Sequence, residues 1–585
     1  MNNRPRPIKP QKPRSWLKTV LFVQFCLLTV NNALTAPGWD EWGHLPSGLY
    51  HLQFGEYRPS CVNPPLVRSV AAIPVWLVGG GFDKQISNEF LGYRPERALA
   101  NRFFNQHGLW VFLYFFLARE MLVPVTLFGT WLLFSVCRDL YGEIGANTAI
   151  SLWTFSPMVL TYGPSLVPDQ SAMVAGLWCI VSFRAWLDQK TLSSVLKVGF
   201  TLFLSLASKF TWVVMPVLLI AIWLVDSRCF VKQRMAWRSD AKQIVAAALL
   251  CLFLLNLLYE FSGTGKQLRE FQFASETLSG LGHDGKTLQF GNKFENSWWG
   301  ILPVPVPSAM LEGIDIQRRD FESELDSYLF GKRQNRGWIH YYIVGMFLKE
   351  PVAIWLLFGG WFFLGRDKSL NWSKQEVYTF IPGVAVFVLV SSQTGFNHHL
   401  RYVLPAFLVL YILAAKAASV LWNLPWGKGL VVIFLSWYCA SSLLLVPWSY
   451  AYFSEAIGGS SNGWRYMDNS NLDWGQDLYT ALMWVYQNPD SGPFYVLYSL
   501  PQAQIESVVP SLYDGRNHLE TQLGESSFVP AKSGTWIVFS QILTQPEGTW
   551  FRNKTPEFEL SPTIRVYRVD VASKLSHAQD GEKIE

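Results

Sequence analysis

Predominantly apolar stretches of about 15–22 residues recur along this chain, each the length a helix needs to cross a hydrocarbon core of roughly 30 Å. They fall at 16–34, 121–137, 145–163, 170–187, 194–208, 211–225, 242–259, 351–365, 377–392, 401–420 and 429–447. Lipid offers the backbone no hydrogen-bond partner, so such runs fold as helices that satisfy their own amides. The expected fold class is an all-α polytopic membrane protein of about 11 transmembrane helices, with a small extracytoplasmic α/β domain at its C-terminus.

Composition agrees. Charged residues make up 16% of the chain, against about 25% in a soluble domain, so this surface does not face water on all sides. Aromatic residues reach 16%, as expected where amphipathic rings settle at headgroup level. A net charge of +5 gives no footing for nucleic acid as a partner. The seven cysteines, Cys26, Cys61, Cys137, Cys179, Cys229, Cys251 and Cys439, mostly lie in or beside apolar runs and form no CxxC pair. They read as buried apolar residues rather than a disulfide framework or zinc site.

Charge sets the sidedness. The first 18 residues carry six Lys/Arg and no acid, which marks 1–15 as a cytoplasmic basic tail ahead of a retained first helix. Arg228, Lys232, Arg234, Arg238 and Lys242 crowd one short loop, Arg366, Lys368 and Lys374 another, with Arg138 and Lys190 on the same side. Residues 16–447 then form the membrane domain, with outer loops at 35–118 and 260–350, and 448–585 lie outside a cell (inner) membrane. Within 65–118, Leu66–Val78 and Leu109–Ala118 are short for spans; they either lie flat in the interface or pair as two extra spans. In the tail, Phe494–Tyr498, Trp536–Phe539 and Thr563–Val569 read as strands and Gln476–Tyr486 as a helix. No internal repeat and no matched pair of broken helices, the mark of many transporters, is visible. Asn371-Trp372-Ser373 spells a glycosylation sequon but falls in a loop assigned to the cytoplasm, so it carries no weight.

The residues able to do chemistry gather where the outer ends of helices are expected. Asp40 and Glu41 follow the first helix among Trp39 and Trp42, with His44 close behind. A carboxylate in a low-dielectric cleft has a raised pKa and can act as a general base; an ordinary solvated loop is the plain alternative. Asn63-Pro64-Pro65 sets a rigid corner. Lys209 and Arg401 are placed to grip an anion by charge-assisted hydrogen bonds, against snorkelling to the interface. Arg119 is a third such cation, with Glu120 as an adjacent ion-pair partner. Asp169 either orients an acceptor, binds a divalent cation or caps a helix. His398 and His399 are either substrate-site or metal-binding candidates or a simple interfacial pair. Asp473 and Asp477 stand four apart, as on one helical face, either covering the site or forming a solvated face or cap.

Together these motifs resemble the protein O-mannosyltransferase and aminoarabinose-transferase superfamily, membrane glycosyltransferases of the GT-C fold, family 39 type. Those that carry the likeness are Asp40-Glu41 just after the first helix, His44, and Pro64-Pro65-Leu66 some 20 residues later. The bacterial branch is matched further by Arg119, Leu166-Val167-Pro168-Asp169-Gln170, Ser208-Lys209-Phe210-Thr211, Gly337-Trp338 through Lys349-Glu350-Pro351, Arg401-Tyr402-Val403-Leu404-Pro405 and Ser470-Asn471-Leu472-Asp473-Trp474-Gly475-Gln476-Asp477-Leu478. Eukaryotic members carry His where this chain has Asn63, which leaves the acceptor open.

The resemblance implies transfer of a sugar from a polyprenyl-phosphate donor to an acceptor hydroxyl on the outer face of the membrane, with inversion. Asp40 is then the base, aided by Glu41, and Lys209, Arg401 and Arg119 hold the donor phosphate. The partners implied are the donor, the bilayer, and a glycan, lipid or protein acceptor. No cofactor is called for, and whether a divalent cation is used stays open. Two other classes compete: a secondary transporter, which requires ionisable residues at mid-helix depth, and a non-catalytic partner in envelope assembly.

Overall fold

The computed structural model describes residues 15–85, 95–229, 237–282, 289–364, 372–498, 512–521 and 528–571. The basic tail up to residue 14, Lys232, Arg234, Arg366, Lys368 and Asn371 lie outside these residues.

Helices dominate. In order they are α1 (Ser15–Leu34), α2 (Glu41–Phe54), α3 (Leu66–Leu77), α4 (Glu96–His107), α5 (Trp110–Glu120), α6 (Val123–Phe155), α7 (Pro157–Tyr162), α8 (Asp169–Asp188), α9 (Leu192–Ser208), α10 (Met215–Cys229), α11 (Trp237–Leu258), the single turn α12 (Glu276–Ser279), α13 (Ser308–Glu322), α14 (Tyr341–Lys349), α15 (Val352–Leu364), α16 (Lys374–Ser392), α17 (Leu404–Leu421), α18 (Gly427–Leu443), α19 (Leu478–Gln487) and α20 (Thr549–Arg552). Local chemistry sets many of the ends. Thr191 and Ser194 make a capping box at the start of α9, and Ser373 with Glu376 does so at α16, each satisfying backbone donors that the first turn leaves unpaired. Ser156 caps α7 with Pro157 behind it, a position where the missing N–H costs nothing.

Among the described residues six helices are long and apolar enough to cross a membrane, and a seventh arises if α14 and α15 are one span. That pair is bent by 104°, a broken helix the sequence reading did not anticipate. The runs 121–137 and 145–163 lie on two helical segments that meet at a kink. They share α6, which breaks at Gly142, where φ is +73 and ψ −167, a conformation open to glycine. α3 is 12 residues long, about 18 Å, too short to span alone; it packs on α2 and α5. The apolar runs on α9 and α18 make 17-residue helices. The chain is a multi-pass membrane protein, and α17 runs through its centre, packed on α6, α15 and α16, with Phe407 and Tyr411 fully buried beside Trp153.

Charge is segregated along the bundle. Lys190–Asp240, Lys374–Asp226 and Lys416–Glu376 pair at one end. Asp169 opens α8 and Asp188 closes it, so the Asp169 end lies about 30 Å away.

The C-terminal part holds a five-stranded sheet. Its strands, in sequence, follow a short hairpin of β1 (Ser327–Leu329) and β2 (Lys332–Gln334): β3 (Phe494–Leu497), β4 (Leu512–Asp514), β5 (Leu519–Thr521), β6 (Phe528–Pro530), β7 (Gly534–Phe539), β8 (Phe558–Ser561) and β9 (Ile564–Val569). The order is β4-β3-β7-β9-β8, parallel across β4, β3 and β7 and antiparallel beyond, with β5 and β6 as a separate pair. Cys26, Cys137, Cys179, Cys251 and Cys439 form no disulfide.

Candidate active site

The two adjacent acids after α1 are sent to opposite environments. Glu41, at the first position of α2, is buried and accepts from both arms of Arg119, with Arg119 Nε at 2.9 Å. Ser165 Oγ (3.0 Å) and the Leu166 N–H (2.8 Å) close on the same oxygen, and the Gly38 N–H (2.8 Å) on the other. Burial alone pushes a carboxyl up, but the Arg119 charge and these donors hold Glu41 below the usual range. Arg119 also donates to the carbonyls of Thr35 (2.9 Å) and Ala36 (3.0 Å). The pair therefore clamps the 35–41 turn to α5 and to the start of α8. The sequence reading gave Arg119 to Glu120. Instead Glu120 accepts from Thr29 (3.0 Å) and Asn32 (2.7 Å) of α1, because consecutive helical residues do not face each other.

Asp40 is the accessible member. Its side chain is 37% exposed, and one oxygen takes Arg401 Nη2 at 2.6 Å. The buried Arg401 guanidinium also faces Asp169 Oδ2, 3.5 Å from its Nε, and Asp169 Oδ1 accepts from Lys209. The run Asp40–Arg401–Asp169–Lys209 thus joins residues from four separate segments of the chain. Arg401 Nη1 is buried without a hydrogen-bond partner. Two rings frame the cations: Trp474 lies 4.2 Å from the Arg401 guanidinium carbon and Tyr402 4.3 Å from Lys209 Nζ. Neither ring was picked out as part of a site by its sequence. The signal, a cation over an aromatic face, exists only once distant segments meet. Asp169 opens α8 but caps it with no side-chain hydrogen bond; its carboxylate turns to Lys209 and Arg401.

His44 follows one turn after Asp40 and is buried. Burial, then the charges of Arg68 and Arg401, push it down to about 3, so its imidazole is neutral at working pH. Asn63 lies in a separate cluster. Its carbonyl accepts from Arg68 (2.8 Å), which also binds Ser60. His398 and His399 turn toward the 469–470 segment: Asn469 Nδ2 donates to His398 Nδ1 at 3.0 Å, and His399 Nδ1 bonds Ser470 Oγ at 2.5 Å. Among the described residues no group of three His, Cys, Asp or Glu is placed to hold a metal ion.

The 470–477 stretch is a strut under the site. The Ala36 N–H donates to Gln476 O at 2.8 Å and the Trp39 N–H to Trp474 O at 3.0 Å, so this segment carries the turn that presents Asp40. Asn471 ties it to the bundle through the Leu400 N–H (2.8 Å), the His398 carbonyl (2.7 Å) and Tyr341 Oη (2.8 Å). Lys349 reaches the carbonyls of Asn471 (2.7 Å) and Tyr450 (2.9 Å), while Glu350 accepts from Tyr411 (2.6 Å) and Tyr438 (2.7 Å). Asp473 and Asp477 do not share a helical face, since α19 starts only at Leu478. Both are buried rather than solvated. Asp473 accepts from the Gly475 N–H (3.1 Å), and Asp477 from Ser561 and Thr563 (2.6 Å each), which stitches the strut to the end of the sheet.

No family model matches the chain, and no curated protein matches it. In structure the chain is similar to ArnT from Cupriavidus metallidurans. For ArnT bound to undecaprenyl phosphate the identity is 10% and the TM-score 0.44, over 94% of this chain and 97% of ArnT. For ArnT in the apo state the identity is 12% and the TM-score 0.43, with the same coverage.

Proposed function

We propose that this chain is a GT-C type membrane glycosyltransferase. It moves a sugar from a polyprenyl phosphate to an acceptor hydroxyl at the outer face of the membrane, with Asp40 as the general base. The observation that carries the reading is the Asp40–Arg401–Asp169–Lys209 run, with its one exposed carboxylate and its buried cations at the same end of the bundle. The motifs that resemble the family 39 glycosyltransferases lie at these positions.

The chemistry follows from the parts. Arg401 and Lys209 hold the phosphate of the donor, Arg401 through its unpartnered Nη1. Asp40 takes the proton of the acceptor hydroxyl as its oxygen attacks the anomeric carbon. The carbon–oxygen bond to phosphate breaks, the pair of electrons leaves on the phosphate, and the two cations stabilise that charge as it grows. Attack from the face opposite the phosphate inverts the anomeric centre. Glu41 and Arg119 take no part in proton transfer in this scheme; they fix the turn that aims Asp40. Asp169 keeps the two cations apart yet close, and His44 offers a neutral imidazole beside the acceptor's path.

The test is transfer by the purified chain in lipid nanodiscs, supplied with polyprenyl-phosphate sugars and envelope extracts as acceptors. Product made by the native chain and lost in Asp40→Asn, with the melting temperature unchanged, supports the reading. Undiminished transfer in that variant removes Asp40 as the base.

A further inference from the structure

The loop that leaves α11 carries a surface that the proposed reaction does not use. Val245, Leu249, Phe253 and Leu257 form an exposed stripe along α11 at a spacing of four, the lipid-facing side of a span. Phe261 continues that spacing just beyond the end of the helix. It is exposed, and its ring lies 6.1 Å from that of Phe253.

From there the chain doubles back on itself. The Gly265 N–H donates to Val304 O at 2.8 Å, the Val304 N–H to Lys266 O at 3.0 Å and the Leu268 N–H to Leu302 O at 3.1 Å. This pairing sets the run Trp298-Trp299-Gly300-Ile301-Leu302 beside the foot of α11. Its four large side chains are exposed, Trp298 by 65%, and the two indoles are stacked with ring centres 3.6 Å apart. An exposed apolar run of this kind facing water is unfavourable by roughly 25 cal/mol for each Å² left uncovered. Arg269 is exposed beside it, with its side chain under Gly300.

We infer that Phe261, Trp298, Trp299, Ile301 and Leu302 seat the 260–305 loop in the headgroup layer of the bilayer, on the same leaflet that the site faces. The occupant of this surface is lipid, because the patch is continuous with the lipid face of α11. Indole rings paired with an arginine are the side chains that settle at a lipid–water boundary. The seat has a consequence for the site. Downstream in the same loop, Gly313 of α13 packs against Cys61 and the Phe210 ring, next to Lys209. A loop held in the headgroup layer therefore braces, through α13, the segment that carries Lys209. The inference depends on the membrane span α11 and not on the transfer reaction.

The test places the photo-crosslinker p-benzoylphenylalanine at residue 298, and separately at 301, in the full chain in phospholipid nanodiscs. Position 253 on α11 is the lipid control, and position 486, exposed on α19, the water control. Adducts are read by mass spectrometry. Lipid adducts at 298 and 301 within about twofold of position 253, and about tenfold above position 486, are expected. Yields at the level of 486 in both variants, or adducts to a second copy of the chain instead of lipid, overturn the inference.

Discussion

Trp474 packs against Arg401, its ring centre 4.2 Å from the guanidinium carbon, although the two stand 73 positions apart in the chain. The same indole fills the space over Gly38, where an added Cβ would come within 2.9 Å of the ring. One side chain from the strut thus supports both the Arg401 guanidinium and the turn that carries Asp40.

Replacing Trp474 by Phe should keep most of the activity, since a smaller aromatic face remains, whereas Trp474→Leu should raise the donor KM. A desolvated cation–π contact is worth about 1–2 kcal/mol, or roughly 5- to 30-fold. Steady-state kinetics of both variants alongside their melting curves is the check. An equal loss in Phe and Leu, tracking stability, would assign the ring to packing alone.

The two neighbouring acids should separate cleanly. Asp40→Asn should lower kcat by about 10²–10⁴-fold while leaving the melting temperature in place. Glu41→Gln should do the reverse at first sight, because it breaks a buried pair and costs about 3–5 kcal/mol of stability. Thermal melts in detergent and single-turnover assays distinguish the two. Stable, inactive Glu41→Gln protein would move the base to position 41.

Arg401→Lys retains a charge but not a planar fork able to face Asp40 and Asp169 while offering a free donor. Donor affinity should fall about tenfold or more, with a smaller effect on the acceptor KM. Titration of polyprenyl phosphate into the variant in nanodiscs measures it; unchanged affinity would reassign Arg401 to holding the two acids.

Stability should depend on Asp473. Burial, then the neighbouring Asp477 carboxyl, pushes Asp473 up to about 7, against about 3.9 in an unfolded chain. Between those values the folded state binds the extra proton, so the contribution of this group is complete below about pH 4 and is lost as pH rises toward 7. Asp473→Asn should flatten that decline. Melting temperatures from pH 4 to 8 for native and variant chains test it, and parallel curves would refute the assignment.

How much was legible beforehand follows from range. The apolar runs, the placing of Asp40, Lys209 and Arg401 at helix ends, and the sheet strands could be read because each depends on a short window. Partners could not. Arg119 went to Glu120 by adjacency, yet it spans 78 residues to Glu41. The four-residue spacing of Asp473 and Asp477 imitated a helix that starts only at Leu478. The gap between the runs 121–137 and 145–163 matches the break at Gly142, but the bend between α14 and α15 escaped notice because hydropathy averages over just such features.

By itself the sequence determined that this chain lives in a membrane and that its ionisable residues collect at helix ends. Burying twenty apolar side chains in lipid is favourable whatever surrounds them. Tertiary structure alone decided which acid is a buried clamp and which is exposed, which cation meets which carboxylate, and that Trp474 underlies both Arg401 and the Gly38 turn. Those outcomes depend on contacts within about 4 Å between segments dozens to hundreds of residues apart, and nothing local to any one segment encodes the distance.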